Sequence, residues 1–292
     1  MTLPPINRRD FLHQGAALVG AGVVGTTIGA RFASAAPTPT RRLSRVGLEL
    51  YSVRDQMAKD PERTMASVAK IGYQDVEILW SAGNFGRTAK QVRAALDQTG
   101  LKAPSAHMSA ATILVGWERS LDTARMLGHE YLIVPSFTPE TEGTLDDWRE
   151  WADRFNAAGE KARAAGIWLA FHNEPNHMRP IDGQVPYDVF VKRTVPSAVR
   201  LQLDVGNMVM GGGDPLAYLD AYPDRFWSFH VKDIVPDRTH DTDLGQGNVP
   251  LARILAKVPD INNKPCYVEQ EGSRDPMASV AKDFAYLKAL EF

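Results

Sequence analysis

The chain has 292 residues, of which 44% are hydrophobic, and a formal net charge of −2, so it can bury a sizeable core. No lysine or arginine stripe stands out, which argues against nucleic acid as a partner, because phosphates need clustered cations. The one cysteine, Cys266, excludes an internal disulfide, and the core alone must hold the fold.

The first segment, "RRDFLHQGAALVGAGVVGTTIGARFASAA", sets an apolar run behind two arginines. A spanning helix needs about 20 strongly apolar residues. The run from Gly15 to Ala30 is shorter and rich in glycine, so no stable membrane anchor is expected. A charged start, a short apolar stretch and the Ala33-Ser34-Ala35 site describe a secretory signal cut before Ala36. Arg8-Arg9 followed by Asp10-Phe11-Leu12 resembles the twin-arginine export signal. The expected location is therefore the periplasm, with the twin-arginine translocase as partner during export. Residues 1–35 are set aside as signal peptide and 36–45, opening "APTPTRR", as a polar linker. Residues 46–292 form the expected domain.

That domain alternates. "RVGLELYSV" predicts a strand, and "PERTMASVAKIG" a helix with Met65, Val68 and Ile71 on one face. "YQDVEILW", "LKAPSAHMS", "YLIVPSF" and "IWLAFHNE" predict strands two to five. Helices intervene, the longest entered at Thr144, with Asp146-Asp147 in its first turn, and left at Gly166. "VRLQLDVGN", "RFWSFHVKD" and "PCYVEQE" supply strands six to eight, and "PMASVAKDFAYLKAL" the last helix. Eight strand–helix units in about 255 residues match an α/β fold of the (β/α)8 TIM-barrel type, in a single domain. No G-x-G-x-x-G follows the first strand, which counts against a dinucleotide-binding sheet. Gly211–Gly213 is taken as a plain turn.

In such a barrel the chemistry gathers at the carboxyl ends of the strands. Here those ends carry residues that a core rejects: Glu49, Glu77, His107, His172, Asn173, Glu174, Asp204, His230, Lys232, Asp233, Glu269 and Glu271. Burying an ionised group costs several kcal/mol unless it is paired or binds a metal. Alternate residues share a face, so His172 pairs with Glu174, His230 with Lys232, and Glu269 with Glu271. Carboxylates with imidazole and no thiol suit one divalent ion of the Mn, Mg, Co or Zn kind. Asp204, His230 and Glu269, in order on three neighbouring strands, are the core of that set. Glu49 and Glu77 fit structural salt bridges as well as substrate contacts, and His107 fits a core imidazole as well as a site residue.

With these residues in place, the chain resembles the xylose isomerase-like TIM barrels, in particular the sugar phosphate isomerase/epimerase group. The matching segments include "GLELYSVRDQM", "LAFHNE", "LQLDVGNMVMGGGDPLAYLDAYPDRFWSFHVKDI" and "YVEQE". The resemblance implies a metal held by Glu, Asp, His and Glu, the last three at Asp204, His230 and Glu269. Glu174 is taken as the fourth ligand, because "FHNEP" carries a glutamate where close members of the group tend to read "YHNHD". The implied activity is proton transfer beside a carbonyl through a metal-stabilised enediolate, on a non-phosphorylated sugar or keto-sugar. Glu174 and Glu269 would move the proton, with His107 and Lys232 on hydroxyls. His172, Glu49, Glu77, Trp80 and Glu271 would contact substrate, and Phe85 and Phe137 fit either stacking on a sugar or core packing.

The alternatives are a 3-keto-glycoside lyase or hydrolase using the same chemistry, and a non-catalytic periplasmic sugar-binding barrel. Barrels that cut abasic DNA need more histidines and a basic groove. The chain has seven histidines, one of them in the signal, so that reading is set aside. Dimers and tetramers are common in the family, and a homo-oligomer is a possible state.

Overall fold

The computed structural model describes residues 40–138 and 141–292. The expected signal peptide, its Ala33-Ser34-Ala35 site and residues 36–39 of the expected linker lie outside them. The strands among the described residues are β1 (Gly47–Glu49), β2 (Asp75–Leu79), β3 (Lys102–His107), β4 (Tyr131–Val134), β5 (Trp168–His172), β6 (Val199–Asp204), β7 (Phe226–Val231), β8 (Asp233–Ile234), β9 (Asp241–Thr242) and β10 (Cys266–Val268). Eight of them close a parallel barrel in the order β1-β10-β7-β6-β5-β4-β3-β2. This is the (β/α)8 architecture expected from the alternation. β8 and β9 form a small antiparallel hairpin after β7 that the sequence reading did not separate.

Parallel strands are covered on both faces, which is why they read as near-continuous apolar runs. In β6 the outward Leu201 and Leu203 meet the helical layer, while Gln202 and Asp204 belong to the interior. The long Leu145–Ala164 helix begins at a capping box between Thr144 and Asp147 and buries Trp148, Trp151 and Phe155. Gly211–Gly213 ends the short Val205–Met210 helix, as a turn should. It also does more: a Cβ on Gly211 would stand 2.4 Å from Pro175 O, so the glycine lets the segments after β5 and β6 touch.

Two expectations shift. The first strand covers only Gly47–Glu49, because Leu50–Val53 already coils as a 3-10 turn on the Glu49 cap. Arg41–Arg45 does not behave as a tether. The Arg41 and Phe292 backbones exchange hydrogen bonds of 2.7 and 2.9 Å, and Leu43 is buried, so the chain termini of the domain are tied together.

The barrel's amino-terminal end is plugged. The Arg200 guanidinium lies 3.5 Å from the Trp168 ring centre and 3.6 Å from that of Trp227, and donates to the Tyr131 hydroxyl at 2.7 Å. Arg163 and Lys264 extend the stack on its two sides. Side chains therefore close one end of the barrel and leave the chemistry to the other. Among the described residues, no helix is long and apolar enough to cross a membrane.

Candidate active site

The pairing register decides which strand ends meet. Asp204 pairs with His230, His172 with Gln202, Leu79 with His107, and Glu49 with Glu77. Glu269 follows directly after β10. Ligand atoms of His172, Asp204, His230 and Glu269 lie within 4.8 Å of one another, and all four residues are buried. So do atoms of Glu49, Glu77, His107 and His230, one layer deeper. The three imidazoles stand 4.8 to 5.2 Å apart, centre to centre.

Local structure aims these groups. Asp204 caps the helix that follows it: its Oδ1 accepts from the Asn207 amide at 2.7 Å. That leaves Oδ2 buried and facing the cluster, with the Lys232 ammonium 3.1 Å away. Asn173 and Asp204 exchange two hydrogen bonds of 2.9 and 3.0 Å, which locks the end of β5 to the end of β6. The His230 ring spans two carboxylates, with Nε2 2.7 Å from Glu77 and Nδ1 2.9 Å from Glu269.

Lys232 occupies the centre. Its ammonium lies 3.1 Å from Asp204, 3.0 Å from Glu269, 2.7 Å from Glu271 and 3.0 Å from the Asn207 side-chain oxygen. Its stem passes over Gly206, where a Cβ would come within 2.7 Å of it, so only glycine fits there.

The charges are unevenly matched. Burial, reinforced by Glu77, pushes the Glu49 carboxyl well above the ordinary range. Burial takes Asp204 to about 7 despite Lys232, with Glu269 adding repulsion. Burial likewise takes Glu174 to about 8, against the pull of Lys232. Glu269 goes the other way: Lys232 and His230 overcome its burial and hold it well below. His107 and His230 do the same for buried Glu77. His230 rises, since Glu269 and Glu77 outweigh its desolvation. A site that must protonate carboxyls to stay buried is short of positive charge. Buried carboxylate and imidazole donors within 4.8 Å of one another, with more acid among them than the one ammonium of Lys232 balances, fit a divalent cation.

Of the four residues expected as ligands, Asp204, His230 and Glu269 converge. Glu174 lies just past β5 and accepts from the Asn207 side-chain amide at 3.0 Å, outside the group of mutually close ligand atoms. His172 stands in that fourth position. Lys232 is at the centre, and Glu271 touches it from the rim. His107, Glu49 and Glu77 form the layer beneath. Trp80 is elsewhere: it packs with the core between barrel and helices and lies 5.5 Å from the His129 ring. Phe85 joins the same core, and Phe137 is stacked among Trp151 and Phe171. Sequence reasoning missed Gln202 and Asn207. Gln202 was signalled, because it shares parity with Asp204 on β6.

The model of the xylose isomerase-like TIM barrel family matches residues 65–290. The chain belongs to that family. An inosose dehydratase of Lacticaseibacillus casei is 24% identical over 194 residues, covering 59% of this chain. The match spans 63% of that relative's length. A crystal structure of a sugar phosphate isomerase/epimerase from Parabacteroides distasonis superposes with a TM-score of 0.73 at 27% identity, covering 86% of this chain and 97% of that one. The IOLI protein with a bound zinc atom gives a TM-score of 0.64 at 12% identity, covering 82% and 95%, which is likeness of fold alone.

Proposed function

We propose that this barrel is an exported, metal-dependent isomerase or epimerase that moves a proton at the carbon beside a carbonyl in a non-phosphorylated sugar or keto-sugar. The reading is carried by the buried convergence of Asp204, His230 and Glu269 from three neighbouring strands, with too little positive charge of its own. These residues and a donor from the end of β5 would hold one divalent ion of the Mn, Mg, Co or Zn kind. When bound, the ion supplies Lewis acidity toward a carbonyl and an adjacent hydroxyl.

The chain's own residues do the rest. Glu269, held ionised by Lys232 and His230, is the group able to accept a proton. Glu174, pushed up to about 8, carries a proton near neutrality and is the group able to return one. Lys232 presents N–H donors to substrate hydroxyls, with His107, His172, Glu49, Glu77 and Glu271 around it. Return of the proton to the same carbon gives epimerisation, and to its neighbour isomerisation.

A second reading is elimination, in which a protonated Glu174 assists a leaving group β to the carbonyl. The similarity to an inosose dehydratase favours it. The substrate would then be a keto-sugar or a 3-keto-glycoside.

The test is solvent exchange. The mature protein, loaded with Mn, is incubated in deuterated water with free and phosphorylated sugars and keto-sugars. Deuterium at the carbon beside the carbonyl of a free sugar is the expected outcome. Turnover of phosphorylated sugars alone overturns the substrate assignment. A purified protein that retains no stoichiometric divalent ion and exchanges no proton is a sugar-binding barrel instead.

A further inference from the structure

We infer that His172, not Glu174, supplies the fourth donor to the cation, and that Gln202, anchored by Glu77, is the positioning residue that turns His172 to face it. This rests on the metal site proposed above and names one of its ligands and the device that sets it.

The argument follows donors and acceptors. Gln202 is fully buried in β6. One end of its amide lies 3.0 and 3.1 Å from the two Glu77 oxygens and 3.0 Å from the Ser228 hydroxyl. The other end lies 2.8 Å from His107 Nε2 and 2.9 Å from His172 Nδ1. An ionised carboxylate only accepts, so the end facing Glu77 must be the NH2 group. The carbonyl oxygen then faces both imidazoles, and each must present an N–H to it. His172 therefore spends Nδ1 as a donor. Its lone pair is on Nε2, which lies 3.9 Å from Asp204 Oδ2, the oxygen that also meets the Lys232 ammonium, and 3.5 Å from the Asn207 side-chain amide. A metal-binding imidazole commonly has its other nitrogen held in this way, which fixes both tautomer and ring orientation.

Glu77 is the anchor of the arrangement. It is fully buried, and Ser105, Gln202 and His230 all hydrogen-bond to its carboxylate. It orders His230 directly and His172 through the Gln202 amide. The same residue thus sets the nitrogen that two separate strands offer to the ion. Glu174 is left outside. Its Oε2 accepts from Asn207, whose side-chain oxygen accepts in turn from Lys232. That chain of contacts places Glu174 beside the ammonium and leaves it free for proton transfer.

The test uses zinc titrations of the mature protein and its variants, with circular dichroism as the check on folding. The expected result is that Glu174→Gln binds Zn2+ within about threefold of the parent, while His172→Ala weakens binding by more than the roughly 10–100-fold that a supporting residue contributes. Gln202→Met is expected to fall within that 10–100-fold range. In 15N-histidine-labelled protein, the parent's His172 should show the Nδ1–H tautomer, and Gln202→Met should convert it to a mixture. A purely structural role for Gln202 would leave that tautomer signal unmoved. If Glu174→Gln loses zinc and His172→Ala keeps it, the inference is overturned. If the parent itself binds no divalent ion, the metal reading fails first, and the two failures are told apart.

Discussion

Glu174 and Lys232 show how far residue type alone can carry an assignment. Both stand at strand ends in the sequence, and both reach the site. Their roles separate only in three dimensions, because Asn207 bridges them from a helical turn whose packing no spacing reveals. Asp204, His230 and Glu269 were legible because acids and imidazoles in consecutive strands are costly to bury for nothing. Trp80, Phe85 and Phe137 were not, since an aromatic at a strand end looks the same whether it meets a sugar or a helix. The assignment of Glu174 has a kinetic consequence. Glu174→Gln keeps the shape and the Asn207 contact but holds no transferable proton. Its kcat for exchange should fall by about 10²-fold or more, with KM little changed. A drop confined to KM would place Glu174 in binding only. Lys232→Met removes the ammonium that already holds Asp204 and Glu269. Turnover should fall at least about tenfold, while zinc binding stays within about tenfold of the parent. Joint loss of zinc would instead make the ammonium a requirement for assembling the ligands.

At the scale of elements, the eight strands were visible as apolar runs, and the barrel followed from their alternation with helices. The segment after β7 was not. In the sequence Asp233 looks like one more polar strand end, in "FHVKD". Its carboxylate is in fact consumed by backbone: Oδ1 accepts from Ile234 and Val249 at 2.9 and 3.0 Å, and Oδ2 from Gly245 and Gly247 at 2.9 and 3.0 Å. A Cβ on Gly247 would come within 2.2 Å of Asp233 Oδ1, so the acid and the glycine specify each other. The loop matters to the site, because Asp241 within it accepts from the Glu271 and Gly272 amides and so seats the partner of Lys232. Asp233→Asn replaces one acceptor by an NH2 group aimed at backbone N–H groups. Urea unfolding should show a loss of about 2–3 kcal/mol at unchanged m-value. An unaltered midpoint would mean that the loop is held by other contacts.

The whole molecule divides its polar interior between function and stability. At one end the Arg200 stack fills the barrel. At the other, buried acids wait on protons or a cation. Another buried acid serves neither purpose and shows what the fold costs as pH changes. Asp283, on the Pro276–Ala289 helix, is fully buried. Its Oδ1 accepts from the Leu244 amide at 2.8 Å, and its Oδ2 has no partner. Burial pushes its carboxyl to about 7; the Leu244 bond opposes this, and Asp243 and Asp241 add to it against Lys282. The folded state therefore prefers the protonated form, while the unfolded chain titrates near 3.8. Because the folded value is the higher one, the stability tied to this proton is complete below about pH 4 and is lost as pH rises through about 7. Asp283→Asn keeps the acceptor for Leu244 and carries no charge at any pH. Its unfolding free energy should exceed the parent's at pH 8 by about 1–3 kcal/mol, and the gap should shrink toward pH 5. Denaturation series at the two pH values, run without metal so that the mouth of the barrel contributes equally to both proteins, measure that gap directly. A difference of the same size at both pH values would mean that the carboxyl is already ionised in the fold, and that its loss acts through packing alone.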